Sequence, residues 1–146
     1  MEHFSILIDQ HKNIRNLLQA VQKKIPIQER TELLKRILTE INAHTLVEER
    51  HVYPVLENFE PLKREVYGFW REHERLRQEL HSVIAVAQDE RQFQNQMVRL
   101  SQTFEEHIKE EENRIFPEAS KVVPKEELKK IDRNIAISVE QTKKVA

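Results

Sequence analysis

The sequence has no cysteine, a single glycine and five prolines in 146 residues. Without cysteine there is no disulfide, no thiolate metal site and no cysteine nucleophile. One glycine leaves little material for the tight turns of a sheet protein. Charge of one sign is also missing: 24 basic and 25 acidic residues are mixed along the chain, for a formal net charge of −1. A nucleic-acid binder would carry a basic stripe or arm, and none is present. The longest apolar run, Val83-Ile84-Ala85-Val86-Ala87, falls far short of the roughly 20 residues that a membrane span requires. Met1-Glu2-His3-Phe4 has neither the basic start nor the apolar stretch of a signal peptide. The expectation is a soluble, cytoplasmic protein with no nucleic-acid and no membrane partner.

What is present suits long amphipathic helices. Charged residues make up 34% of the chain and hydrophobic residues 38%, a balance that favours helix over sheet. The length fits one domain over residues 1–146, with a single filled core. Prolines punctuate the helices. Pro26 closes a first helix running from about Glu2 to Ile25, and Pro54 and Pro61 bracket the end of a second. A third starts near Pro61 and runs to about Ala87. Asp89 is placed to cap a fourth, which ends near Phe116-Pro117, and Pro124 precedes a shorter fifth segment from Glu126 to about Lys144.

The apolar residues recur at three- and four-residue spacing, which places them on one face of each helix. In the first helix the stripe is Phe4, Leu7, Ile14, Leu18, Val21 and Ile25, with His11 filling one step. In the second it is Leu34, Ile37, Ile41, then His44 and Glu48, then Val52 and Val55. The third reads Leu62, Val66, Phe69, His73, Leu76, Leu80 and Val83. The fourth reads Phe93, Met97, Leu100, Phe104, then His107 and Glu111, then Ile115. Each core stripe is interrupted only by histidine, or by histidine and glutamate.

An internal repeat runs through the pattern. His44-x3-Glu48-x4-Tyr53-Pro54 matches His107-x3-Glu111-x4-Phe116-Pro117, and Gln10-His11-x2-Ile14-Arg15 matches Glu72-His73-x2-Leu76-Arg77. The halves read as two similar helical hairpins about an approximate two-fold axis, giving an all-α, up-down-up-down four-helix bundle with a short extra C-terminal helix. At 1.5 Å per residue, the four histidines lie roughly 13–20 Å from the same end of such a bundle, with the two glutamates one turn nearer.

Without compensation that layer is costly. A buried ionised carboxylate costs several kcal/mol even after relaxation, and a whole domain is stable by only about 5–15 kcal/mol. Two divalent or trivalent cations would compensate, with imidazoles as terminal ligands and each carboxylate bridging both ions. Residues four apart lie one turn from each other on the same face, and bundle cores are built for such sites. Mixed nitrogen and oxygen donors suit iron best, with manganese, zinc or cobalt as substitutes.

These residues resemble the hemerythrin family, in its bacterial-type HHE cation-binding branch. The resemblance rests on Asp9-Gln10-His11, His44-x3-Glu48 before Tyr53-Pro54, Glu72-His73, and His107-x3-Glu111 before Phe116-Pro117. It implies a non-haem di-iron centre in which His11 and His44 serve one iron and His73 and His107 the other. Glu48 and Glu111 would bridge them alongside an oxo or hydroxo group. Oxygen-carrying members of the family have a further histidine where this chain has Arg77, mirrored by Arg15. A guanidinium does not ligate a metal, so the centre is expected to be more symmetric and more open than in a carrier. The functional expectation is a protein that binds, senses or reacts with dioxygen or a related oxidant such as nitric oxide or peroxide. The alternatives are an iron-dependent regulatory or storage module, and a di-iron oxidoreductase turning over peroxide or nitric oxide.

The other polar residues receive bland assignments. His3 and His81 fall far from the layer and belong to the surface or rim. His51 lies near it, but Val52 fits the stripe better. Glu49, Glu72, Glu74, Glu110 and Glu112 are expected on solvated faces, with Glu112 the substitute for Glu111 if the fourth helix is distorted. Tyr53, Phe69 and Trp70 are expected to line the core, where an aromatic could limit access or be oxidised. The fifth segment, with Leu128, Ile131, Ile135 and Val139 on one face, is expected to pack on the bundle.

Overall fold

The computed structural model describes residues 3–145. The chain is all-α: among the described residues there is no strand, and no helix is long and apolar enough to cross a membrane. Helix α1 spans Ser5–Val21. Helix α2 runs from Ile27–Val47 through a wider π-helical turn, Glu48–Val52, into Tyr53–Leu56. Helix α3 spans Glu60–Ala85. Helix α4 repeats the design of α2: Glu90–Glu110, a π turn over Glu111–Ile115, then Phe116–Val122. Helix α5 spans Lys125–Val145. The main packing pairs are α1 with α2 and α3 with α4, the two hairpins expected from the repeat, and α5 lies against α1 and α2.

Several boundaries differ from the sequence expectation, each for a local reason. The expected start at Glu2 lies outside the described residues. Phe4 has a left-handed backbone (φ 67°), so α1 begins after it, and its amide donates to Asp132 Oδ1 at 3.0 Å. The C-terminal end comes at Val21 rather than Ile25, because residues 22–26 form the turn that brings Pro26 to the start of α2. Asp89 caps α4 as expected, its carboxylate accepting the Gln92 amide at 3.0 Å. The C-terminal helix is not short; it has 21 residues, and Leu128, Ile131 and Ile135 are buried in the core.

The second helix ends at Leu56, between Pro54 and Pro61 as expected; the largest departure is at Pro117, where the fourth continues to Val122. Neither Pro54 nor Pro117 itself ends its helix. A proline in an α-helix clashes with the carbonyl four residues back and cannot donate to it. The chain widens by one residue per turn just before each proline: the Tyr53 amide bonds the Glu48 carbonyl, and the Phe116 amide bonds the Glu111 carbonyl, both five residues back. The helix then continues past the proline with its side chains rotated. Val52 and Tyr53 are both fully buried, as are Ile115 and Phe116.

The core falls into two apolar clusters. One, including Phe4, Leu7, Val52, Tyr53, Leu62, Phe69 and Phe116, also receives α5. The other, including Ile14, Leu18, Ile37, Ile41, Leu80, Phe93 and Met97, fills the opposite end. Between them lies a layer of buried polar side chains.

Candidate metal centre

That layer holds the six residues singled out from the sequence. His11, His44, Glu48, His73, His107 and Glu111 are each no more than 2% exposed. Each follows from its helix stripe: α1 supplies His11, α2 His44 and Glu48, α3 His73, and α4 His107 and Glu111. The π turns begin at the two glutamates, so both carboxylates leave the helix where it starts to widen.

Their ligating atoms converge in two overlapping groups, His11, His44, Glu48 and Glu111 in one and Glu48, His73 and His107 in the other, each with its atoms within 4.8 Å of one another. His11 Nε2 lies 3.1 Å from His44 Nε2, and His73 Nε2 lies 3.2 Å from His107 Nε2. Glu48 Oε1 is 3.2 Å from His44 Nε2 and 3.0 Å from His73 Nε2. Glu111 Oε1 is 3.2 Å from His11 Nε2 and 3.4 Å from His107 Nε2. Glu48 and Glu111 therefore each touch a histidine of both groups.

The outer nitrogens decide what the inner ones can do. His11 Nδ1 lies 2.6 Å from Glu112 Oε2, His44 Nδ1 2.7 Å from Gln10 Oε1, His73 Nδ1 2.7 Å from Glu49 Oε2, and His107 Nδ1 2.7 Å from Glu72 Oε1. Carboxylate and amide oxygens only accept, so each Nδ1 carries a proton and each Nε2 faces the centre, as a bare lone pair wherever the ring is neutral. Two lone pairs 3.1 Å apart cannot hydrogen-bond each other. They need added protons or a shared cation. Fixing the Nδ1 proton outward is how metal-binding histidines are held. Here the solvated-face assignments of Glu49, Glu72 and Glu112 are corrected: all three orient rings, and Glu112 does not replace Glu111 at the centre.

The carboxylates show the same deficit. Glu48 Oε2 and Glu111 Oε1 are buried and accept no aligned hydrogen bond, although buried polar atoms are almost always paired. Burial, followed by the charge of Glu48, raises Glu111 to about 7. Burial also lowers His44 to about 4, keeping it a neutral donor. His107 goes the other way: burial pulls it down, but the charge of Glu111 and hydrogen bonds to Glu48 and Glu72 carry it well above its ordinary value. Inward-facing imidazole nitrogens beside buried carboxylate oxygens without aligned partners are a donor set suited to a cation.

Tyr53 sits inside this layer rather than merely lining the core. Its hydroxyl lies 2.7 Å from Glu111 Oε2, 3.2 Å from Glu48 Oε1 and 3.1 Å from His73 Nε2. Burial, reinforced by the two carboxylates, holds it well above the ordinary phenol range, so it keeps its proton. Phe69 and Phe104 meet His107 and His11 edge-on, and Phe116 lies parallel to His11 at 6.3 Å.

The remaining assignments mostly hold. His81 is exposed, and His51 stays at the rim while Val52 is buried. His3 pairs with Asp132 of α5 at 2.6 Å, away from the layer. Arg77 bonds Glu49 Oε2 at 2.6 Å, and Arg15 bonds Glu105 at 2.6 Å; neither guanidinium enters the centre.

No curated protein and no solved structure matches the chain. The model of the hemerythrin HHE cation-binding domain matches residues 3–119. That span contains all six residues of the polar layer, and the chain belongs to the hemerythrin HHE cation-binding domain family.

Proposed function

We propose that this metal-binding domain holds two iron ions, His11 and His44 at one, His73 and His107 at the other, with Glu48 and Glu111 shared, and that it binds, senses or reacts with dioxygen, nitric oxide or peroxide. The observation that carries the reading is the convergence of four Nε2 atoms on two carboxylates that each reach both pairs. Bound iron would supply reversible one-electron chemistry and open coordination positions for a small oxidant.

The chain's own residues set the conditions. Gln10, Glu49, Glu72 and Glu112 hold the rings in the tautomer that leaves Nε2 free. The two apolar clusters on either side keep bulk water out. The Tyr53 hydroxyl keeps a proton within reach of both carboxylates. A cleft of about 580 Å³ between α3 and α4, with Phe69 and Glu72 among its walls, brings solvent within one side chain of His107. Because the six central residues are almost fully covered, this access favours a diatomic molecule or peroxide over a larger substrate.

The test is iron content by elemental analysis with absorption spectra before and after reduction and exposure to air. Two irons per chain with bands that respond to air are expected. His44→Ala and Glu48→Ala should lose two-metal occupancy, while His81→Ala should keep it. Equal metal content across the three variants would sink the assignment. Persistence of the air-induced spectrum marks binding, whereas repeated consumption of peroxide or nitric oxide marks turnover.

A further inference from the structure

The two halves of the repeat differ at one position that touches the rings. Gln10 and Glu72 each directly precede the lone histidine of their hairpin, and each accepts the Nδ1 proton of the partner helix's histidine: Gln10 from His44, Glu72 from His107, both at 2.7 Å. The other two ring-holding acceptors are carboxylates in both halves: Glu112 holds His11 and Glu49 holds His73, at 2.6 and 2.7 Å. Arg77 bonds Glu49, whereas the matching Arg15 bonds Glu105 and not Glu112. The difference in the kind of acceptor is therefore behind the second imidazole, an amide in one position and a carboxylate in the other.

A carboxylate that accepts an imidazole N–H makes the opposite ring nitrogen a stronger donor than a neutral amide does, because it stabilises the positive charge the ring acquires on binding a cation. A second difference points the same way. Tyr53 places a hydroxyl 3.1 Å from His73 Nε2, while its counterpart in the repeat, Phe116, offers His11 only a ring face. Tyr53 thus adds a hydroxyl oxygen beside the His73/His107 position that the His11/His44 position lacks.

We propose that the two metal positions are unequal, with Glu72 making His73/His107 the tight position and Gln10 leaving His11/His44 the weaker, exchangeable one. Gln10 and Glu72 are positioning residues that set this order through His44 and His107. The inference rests on the two-ion reading above.

Two cations bridged by the same carboxylates repel each other, so stepwise binding would arise even in a symmetric site. The decisive experiment therefore reads the direction of change in opposite, nearly isosteric swaps. Zinc(II), which has no redox chemistry, is titrated into metal-free protein in competition with a chromophoric chelator. Wild type, Gln10→Glu, Glu72→Gln and the double variant are compared, and His44→Ala and His107→Ala assign the two steps. Gln10→Glu should tighten the weaker step, and Glu72→Gln should weaken the tighter one, each by about 10–100-fold. In the double variant the order of filling should invert, so that His107→Ala in that background spares the tighter step. Swaps that leave both steps unchanged, or shift both in the same direction, overturn the inference while leaving two-metal binding intact. Failure of wild type to bind any zinc or iron refutes the two-ion reading itself.

Discussion

Tyr53→Phe separates a metal layer from a merely polar one. The substitution removes a single oxygen from a residue with no exposed surface and leaves the ring against Phe69, with centroids 5.8 Å apart. That oxygen has one proton and three neighbours. The 2.7 Å contact to Glu111 Oε2 is the short one and receives the proton, leaving Glu48 Oε1 and His73 Nε2 as longer contacts at 3.2 and 3.1 Å. In the metal-free protein the variant loses this bond and strands a second buried oxygen on Glu111, whose Oε1 already lacks an aligned partner. A hydrogen bond of this charged kind contributes about 1.5–3 kcal/mol. At this chain length about 1 kcal/mol moves Tm by roughly 3–4 °C, so a fall of roughly 5–10 °C is expected. In metal-loaded protein, cations satisfy the carboxylate oxygens, and the loss should shrink to below about 1 kcal/mol, the size of an ordinary neutral hydrogen bond. The assay is thermal unfolding by circular dichroism, with and without saturating zinc. An equal fall in both forms would refute the reasoning, because it would mean that the ions do not engage the oxygens the phenol supports.

Other perturbations address separate parts of the structure. In metal-free protein Glu111 lies at about 7 rather than 4.5; a raised group stabilises the fold fully below its unfolded value and loses that contribution as pH rises through the folded one. The difference in unfolding free energy between wild type and Glu111→Gln should thus fall by about 3 kcal/mol between pH 4.5 and 7.5, and a flat difference would contradict the burial of this carboxyl. A Cβ added at Gly68, within α3, meets nothing within 4 Å, so Gly68→Ala should raise stability by about 0.5–1 kcal/mol, read from the urea midpoint; a lower midpoint counts against it. Asp132→Ala removes the acceptor for His3 and for the Phe4 amide and should cost about 1–2 kcal/mol, with early loss of amide-exchange protection at Phe4.

The centre was legible because histidine and glutamate interrupt apolar stripes whose phase is otherwise unbroken. Phase alone placed all six inward, and the repeat placed them at one depth. The residues behind the rings were not legible by that rule. Gln10, Glu49, Glu72 and Glu112 fall beside the apolar stripe, where a charged residue ordinarily meets water, and only the packing of neighbouring helices brings a ring nitrogen to them. A signal existed, since both carboxylate positions of the layer read Glu-Glu and both lone histidines follow a side chain that can accept a hydrogen bond. Pro117 misled for a related reason. Proline breaks an α-helix, but a π turn placed before it removes the clash, and the sequence does not distinguish a break from a widened turn. The matching turn before Pro54 also explains Tyr53. The extra residue rotates it from the flank of the stripe into the layer, so its hydroxyl meets the carboxylates instead of solvent.

The ring-holding bonds fall into two kinds, and the division bears on how the centre forms. Gln10 to His44 and Glu72 to His107 lie within a hairpin, joining α1 to α2 and α3 to α4. Glu49 to His73 and Glu112 to His11 cross between hairpins, joining α2 to α3 and α4 to α1. Each crossing acceptor directly follows a glutamate whose carboxylate faces the centre. One helix segment therefore supplies both a carboxylate for the layer and the orienting group for a histidine of the other hairpin. Neither hairpin alone holds a correctly turned pair of imidazoles: the first has His44 oriented but not His11, and the second has His107 but not His73. Docking the hairpins orients all four rings at once, and the same step brings four inward-facing Nε2 atoms and two carboxylates into a buried layer. The electrostatic cost and the preorganised donor set thus arise together, which is why a cation bound in this layer acts on the docking of the two halves rather than on the stability of either one.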